Sequence, residues 1–361
     1  MNISVLRRNG RSTLFLAAVA LVLVTPAVAR PPAPNSYVVH NLVSDGSIAA
    51  DHMDANLVNA WGIARSATSP WWVADNGTDR STLYNGSGTP QSLVVSVPGA
   101  PTGTVFNGGA SFVVTKGAAS GPARFLFASE DGTISGWNPA VAPTEAVIAF
   151  SSPVAASYKG LAIASTAAGA FLYAADFHNA HVDVFDGSFH PVSTAGGFVD
   201  PDLPSGFAPF GIQNLQGLIY VAYAQQDADA GDEVAGPGLG FVSVFDADGH
   251  FLARVASGGP LNAPWGLAIA PAGFGRFSGN LLVGNFGDGR INAYDLATFE
   301  GKGHLKTPDH KPLAIDGLWG IGFGNGAAAG PTDILYFAAG PDDEANGAFG
   351  KVEVGPRVCR P

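Results

Sequence analysis

The 361-residue chain contains a single cysteine, Cys359, so no disulfide can close within it and no thiolate cluster can hold a metal. No histidine or acid is placed to activate that thiol, which leaves it without a catalytic role. Charge is scarce as well. Asp, Glu, Lys and Arg make up 13% of the chain, about half the usual share of roughly 25%, too little to clothe the outer face of long solvated helices. The shortage is deepest for bases: 18 Lys and Arg stand against 29 Asp and Glu, for a net charge of −11. Without a basic run past Arg11, nucleic acid and anionic membrane are poor partners. The one long apolar run, 13–25, falls short of the about 20 residues that a membrane span needs. Arg7, Arg8 and Arg11 precede it and Ala27-Val28-Ala29 follows, the three regions of a cleaved signal peptide over 1–29. The expectation is a secreted or periplasmic chain with no membrane anchor after cleavage.

Glycine and proline are plentiful, 48 and 26, in a chain that is still 47% apolar. That combination suits many short strands joined by tight turns. The chain also repeats itself. An aromatic-Gly-apolar phrase recurs as Trp61-Gly62-Ile63, Phe210-Gly211-Ile212, Trp265-Gly266-Leu267 and Trp319-Gly320-Ile321, with Lys159-Gly160-Leu161 in the same register. Asn107-Gly108-Gly109 fills the one long gap and completes six units. Each continues into a second strand that ends in a polar turn (WWVADN, FLFASEDG, FLYAADFHN) and a third with period-2 alternation (AHVDVFDG, GFVSVFDADG). A fourth strand precedes the next unit. Six repeats of four strands describe an all-β, six-bladed β-propeller with antiparallel blades, one domain over 30–355 followed by a tail at 356–361. The sixth unit lacks its fourth strand, while 36–43 has strand character and no partner. Pairing the two closes the ring and removes two open edges.

The blade phrases WGLAIA, LLVGNF and VDVFDG resemble those of NHL-type propellers. The wider set NLVSDG (41–46), NLVNAWGIA (56–64), PTGTVFNG (101–108), QQDADAGDEVAGPG (225–238) and AGPDDEANGAFG (339–350) is similar to a family of secreted bacterial propeller proteins. The resemblance implies the fold and export, and no reaction. Calcium-dependent lactonases of the gluconolactonase kind also look like this fold, and they place Asn or Asp ligands just before the corresponding glycine. Here those places hold Trp61, Asn107, Lys159, Phe210, Trp265 and Trp319, of which only Asn107 could coordinate, too few oxygens for Ca²⁺. The six residues are candidates for a ligand-binding floor at the channel mouth, or for a plug that packs the blades.

Weak catalytic candidates are Glu130, Asp176 and Lys159. The acids lie at turns where Asp and Asn commonly bond their own backbone, and Glu130 is the least routine of them. His178 and His181 converge only if Asn179-Ala180 turns the chain. An acidic insertion in blade four, with Asp227, Asp229, Asp232 and Glu233, could wrap Ca²⁺ through Asp227, Asp229 and Asp232. The parallel insertion 340–347 in blade six shares its face of the ring. The expected protein is a monomeric scaffold that binds a small molecule, a glycan or a protein. Its rival is a hydrolase or lyase at the central channel, and the sign of the rival is three or more carboxylates converging on one channel point.

Overall fold

A computed structural model describes residues 35–356. The leader expected over 1–29 lies outside them, as do residues 357–361 of the tail. Six blade sheets and one two-stranded hairpin carry the described chain. Blade 1 runs from Ala60–Ala64 through Trp71–Asp75 and Arg80–Tyr84 to the short outer strand Val95–Ser96. Blades 2 to 5 repeat the plan, with innermost strands Pro101–Phe106, Tyr158–Thr166, Phe207–Leu215 and Pro264–Ile269. Blade 6 starts at Leu318–Phe323 and takes its outer strand from the other end of the chain. Tyr37–Ser44 pairs antiparallel with Ala348–Val354, from Tyr37 opposite Val354 to Ser44 opposite Ala348, with a bulge at Leu42. The expected six-bladed propeller and its closure by the N-terminal strand are both present. No helix among the described residues is long and apolar enough to cross a membrane.

The core is divided by the ring itself. Six apolar clusters each fill the space between two neighbouring blades, and a seventh lies on the axis. This division changes the meaning of the alternation seen in the third strands. Its polar members do not face water: Ser81, Ser135, Ser243 and Asn292 are buried. A blade is covered on both faces by its neighbours, so alternation there sorts large from small side chains rather than dry from wet.

The repeated glycines let the blades meet at the axis. A Cβ on Gly62 would lie 2.4 Å from the Thr102 carbonyl, and one on Gly103 would lie 2.2 Å from the Leu161 amide. Gly160 faces Phe210, Gly211 faces Trp265 at 2.1 Å, Gly266 faces Trp319 and Gly320 faces Trp61. Each first strand thus rests on the backbone of the next, and the circuit closes. Blade 2 enters it through Gly103, not through Gly108 as the even spacing suggested. A hairpin, Val113–Lys116 with Ala119–Pro122, stands between its first and second strands and displaces the count.

Candidate functional site

Loops between second and third strands, and those leading into first strands, gather at one end of the channel. Lys159, in the first strand of blade 3, is 1% exposed there. Its ammonium donates to Glu130 Oε1 at 2.5 Å and to Asp232 Oδ1 at 2.9 Å, and lies 5.3 Å from the centre of the Trp61 ring. Burial alone would lower its pKa, but the two carboxylates outweigh that cost and hold it above the ordinary lysine value. Lys159 is therefore a fixed cation and cannot serve as a base near neutral pH.

Two further carboxyls approach it. Burial pushes Glu233 up to about 8, with Glu344 and Asp232 adding to the rise against the pull of Lys159. Glu344 is also raised by burial, although Asn59 and Lys159 favour its charged form. An amide chain joins the acids: Asn76 donates to Glu130 Oε2 at 2.8 Å, while Asn59 donates to Asn76 Oδ1 at 3.1 Å and to Glu344 Oε2 at 2.5 Å. Blades 1, 2, 3, 4 and 6 all contribute, and the two acidic insertions do share one face. The mouth therefore holds one permanent positive charge, two acids bonded to it, and two acids biased towards keeping their protons. That is equipment for donating a proton beside a fixed cation.

No family model matches the chain. Three curated proteins of Acanthamoeba polyphaga mimivirus do, two of them over most of their length. The uncharacterized protein L690 is 36% identical over 335 residues, 87% of this chain and 85% of the relative. The uncharacterized protein R648 is 33% identical over 339 residues, covering 89% and 81%. The chain belongs to their family. Solved structures share the architecture at much lower identity. A glucose dehydrogenase superposes with a TM-score of 0.52 at 13% identity, over 89% of this chain and all of its own. The soluble aldose sugar dehydrogenase of Escherichia coli gives 0.51 at 12%, with the same coverage. Those likenesses are of fold.

Within this member of the family, the other residues singled out from sequence fall into separate places. Trp61, Phe210 and Trp319 are buried on the axis, Trp61 and Trp319 stacked with ring centroids 3.6 Å apart, and Phe286 stacks on Trp319 from the other side. Trp265 is partly exposed and donates to the Lys159 carbonyl at 2.8 Å. These rings fill the channel as a plug beneath the acidic mouth. Asn107 is not with them. Its amide donates to the Ser111 and Ala123 carbonyls after the end of the first strand of blade 2, and Thr102 holds the place before the ring glycine.

Asp176 sits apart from Lys159 and serves its turn, accepting from the Asn179 amide at 3.1 Å. The turn at Asn179-Ala180 exists, with Ala180 at φ 56°, yet His178 and His181 do not converge. His178 lies against the Ala230 carbonyl, while His181 joins Asp183 at 3.0 Å and Asp176 at 3.9 Å. Asp176, His181 and Asp183 form a group of potential metal ligands. In the blade-four loop, Asp227 accepts from the Gly231 amide at 2.9 Å and Asp232 reaches Lys159. Of the three acids expected to wrap calcium, Asp232 is the one bonded to Lys159. Asn59 escaped the sequence reading. Its one sequence signal was a position directly ahead of Ala60-Trp61-Gly62, and the structure gives it φ 46°.

Proposed function

We propose that the chain is an acid/base enzyme, a hydrolase or lyase, working at the acidic mouth of the channel. One observation carries the reading: carboxyls from blades 2 and 4, Glu130 and Asp232, hold the ammonium of Lys159, Glu233 and Glu344 from blades 4 and 6 feel its charge, and burial pushes Glu233 up to about 8. This is the rival of the binding scaffold, and convergence of carboxylates is the feature that separates them. The plug supports the same choice, because rings buried against each other offer a ligand little surface. Glu233 is the proton donor in this reading. Lys159 stabilises negative charge developing on a substrate oxygen, and Glu130 with Asp232 holds the ammonium in place. The signal-peptide pattern of 1–29 supports an exported protein.

The test has two arms. Carboxyl NMR with E233Q as the assignment control should find a group titrating near pH 8 in the wild type and missing in the variant. A panel of lactones, aryl esters and elimination-prone uronic esters should then include a substrate whose turnover drops about 10²–10⁴-fold in E233Q. If Glu233 titrates as an ordinary glutamate, or turnover is indifferent to E233Q, the mouth is a binding surface.

A further inference from the structure

The opposite end of the channel is open and chemically unlike the first. A cavity of about 550 Å³ occupies it, within the 300–1,000 Å³ typical of small-molecule sites. All six first strands wall it, through Ile63, Thr104, Ile163, Gln213, Leu267 and Ile321. Towards the axis it narrows between Gly62, Gly103 and Gly320 and ends against Trp265. Its lining contains no Asp or Glu and one cation, Arg65.

Two polar groups in that lining bear on a ligand, a half-buried guanidinium without a counter-ion and a buried hydroxyl without a hydrogen bond. Arg65 donates Nε to the Phe323 carbonyl at 2.6 Å and lies 5.6 Å from the centre of the Trp71 ring. It has no ion-pair partner among the described residues, although the chain as a whole is acidic. Thr104 is 7% exposed, and its Oγ1 has no hydrogen-bond partner among the described residues. Buried polar groups are ordinarily paired, so each such exception calls for a cause. A half-buried guanidinium beside a cavity of mixed aliphatic and amide lining, with no acid in it, is open to an anion, and a planar carboxylate suits its fork of donors.

We propose that this cavity binds an amphipathic organic carboxylate, its apolar body between the six strands and its carboxylate on Arg65. The site is separated from the acidic mouth by the aromatic plug, and it stands whether or not that mouth is catalytic. The charge in the cavity selects the sign of the head group, and Ile63, Ile163, Leu267 and Ile321 meet the apolar body.

Calorimetry with decanoate, decanol and decyltrimethylammonium, each below its micellar range, tests the idea. Wild type should bind decanoate at least about 10-fold more tightly than decanol and should give no heat with the cation. R65M should bind decanoate and decanol alike, and R65K should keep part of the preference. Equal binding of decanoate and decanol by the wild type, an unchanged preference in R65M, or no decanoate binding would each overturn the proposal. If R65M melts early, wild type and R65K decide the matter, since head-group preference is read in both.

Discussion

The two mouths of the channel are made of different parts. Loops build most of the acidic one around the strand residue Lys159, and three of its four acids arrive from insertions, 225–238 in blade 4 and 340–347 in blade 6. Strands build the other, which holds no acid, with a similar contribution from every blade. The difference follows from what each part must do for the fold. First strands rest on one another through the glycine circuit and cannot vary without opening the ring, so the cavity they wall inherits the regularity of the repeat. Loops carry no such duty, and charge can collect on them at little cost to the core. Between the ends lies a plug that keeps a cluster of acids away from a cavity whose one charge is Arg65.

The largest effect expected is one that abolishes the comparison by damaging both ends. Gly211→Ala would place a Cβ 2.1 Å from the Trp265 carbonyl, where backbone on both sides has no room to yield. A loss of about 3 kcal/mol or more is expected, at the upper end of overpacking costs. Gly231→Ala, in the acidic loop with nothing within 4 Å of the added carbon, should melt close to the wild type. Urea denaturation of the pair gives the contrast, and similar midpoints would mean that the blades are not held by close approach at the axis.

Next comes an injury confined to the acidic mouth. Lys159→Met leaves Glu130 and Asp232 without their cation and facing Glu233 and Glu344. Removing one partner of a buried pair costs about 3–5 kcal/mol, but the Asp232 side chain is 78% exposed, so about 2 kcal/mol is the better expectation at pH 7. The loss should shrink towards pH 4 as the acids take up protons. Millimolar calcium should raise the melting temperature of this variant and leave the wild type unmoved, since the wild-type cluster already contains its cation. A K159M protein as stable as the wild type at pH 8 would sink the account of the cluster.

How much of this was legible beforehand differs by level. Five of the six ring positions could be read directly, because an aromatic or Lys159 precedes each glycine at spacings of 51, 55 and 54 residues. The sixth was misplaced because Thr102-Gly103 lacks that marker and the hairpin of blade 2 stretches the interval after it. Ring closure could be read from the unpaired strand at one end and the missing strand at the other. The site was visible only as fragments. Glu130, Lys159 and Asp232 stood out singly, yet 102 residues separate Glu130 from Asp232, and only the circular arrangement brings them to one ammonium. The far cavity left no sequence signal, since residues such as Ile63 and Ile163 read as ordinary strand core.

A subtler contrast lies in pH. Glu233 is raised to about 8 when folded, against an ordinary glutamate value of roughly 4.3 when unfolded. A raised folded value gives stability that is fully present below the unfolded pKa and is lost as pH climbs through the folded one. Wild type should therefore weaken between about pH 4.5 and 8 relative to E233Q, which has nothing to ionise at that position. Discounted for partial exposure, the gap should reach about 1–3 kcal/mol and stay level above pH 8. Parallel stability curves for the two proteins across this window would place Glu233 in water and remove the proton donor from the mouth.

The smallest effect expected has the opposite sign and belongs to the other mouth. Thr104 buries a hydroxyl whose oxygen has no partner, and an unmade hydrogen bond costs the folded state the desolvation of that group. Thr104→Val keeps the shape and the β-branch and deletes the unmet group, so it should raise stability by about 0.5–1 kcal/mol in the ligand-free protein. Lys159→Met lowers stability because it strips partners from charges, whereas Thr104→Val raises it because the partner was never there. Chemical denaturation resolves a change of this size, and repeating it with decanoate adds a second reading. If Thr104 helps hold a carboxylate, the gain from valine should narrow or vanish when decanoate is present. A valine variant less stable than the wild type without any ligand would mean that the hydroxyl already has its partner in the free protein.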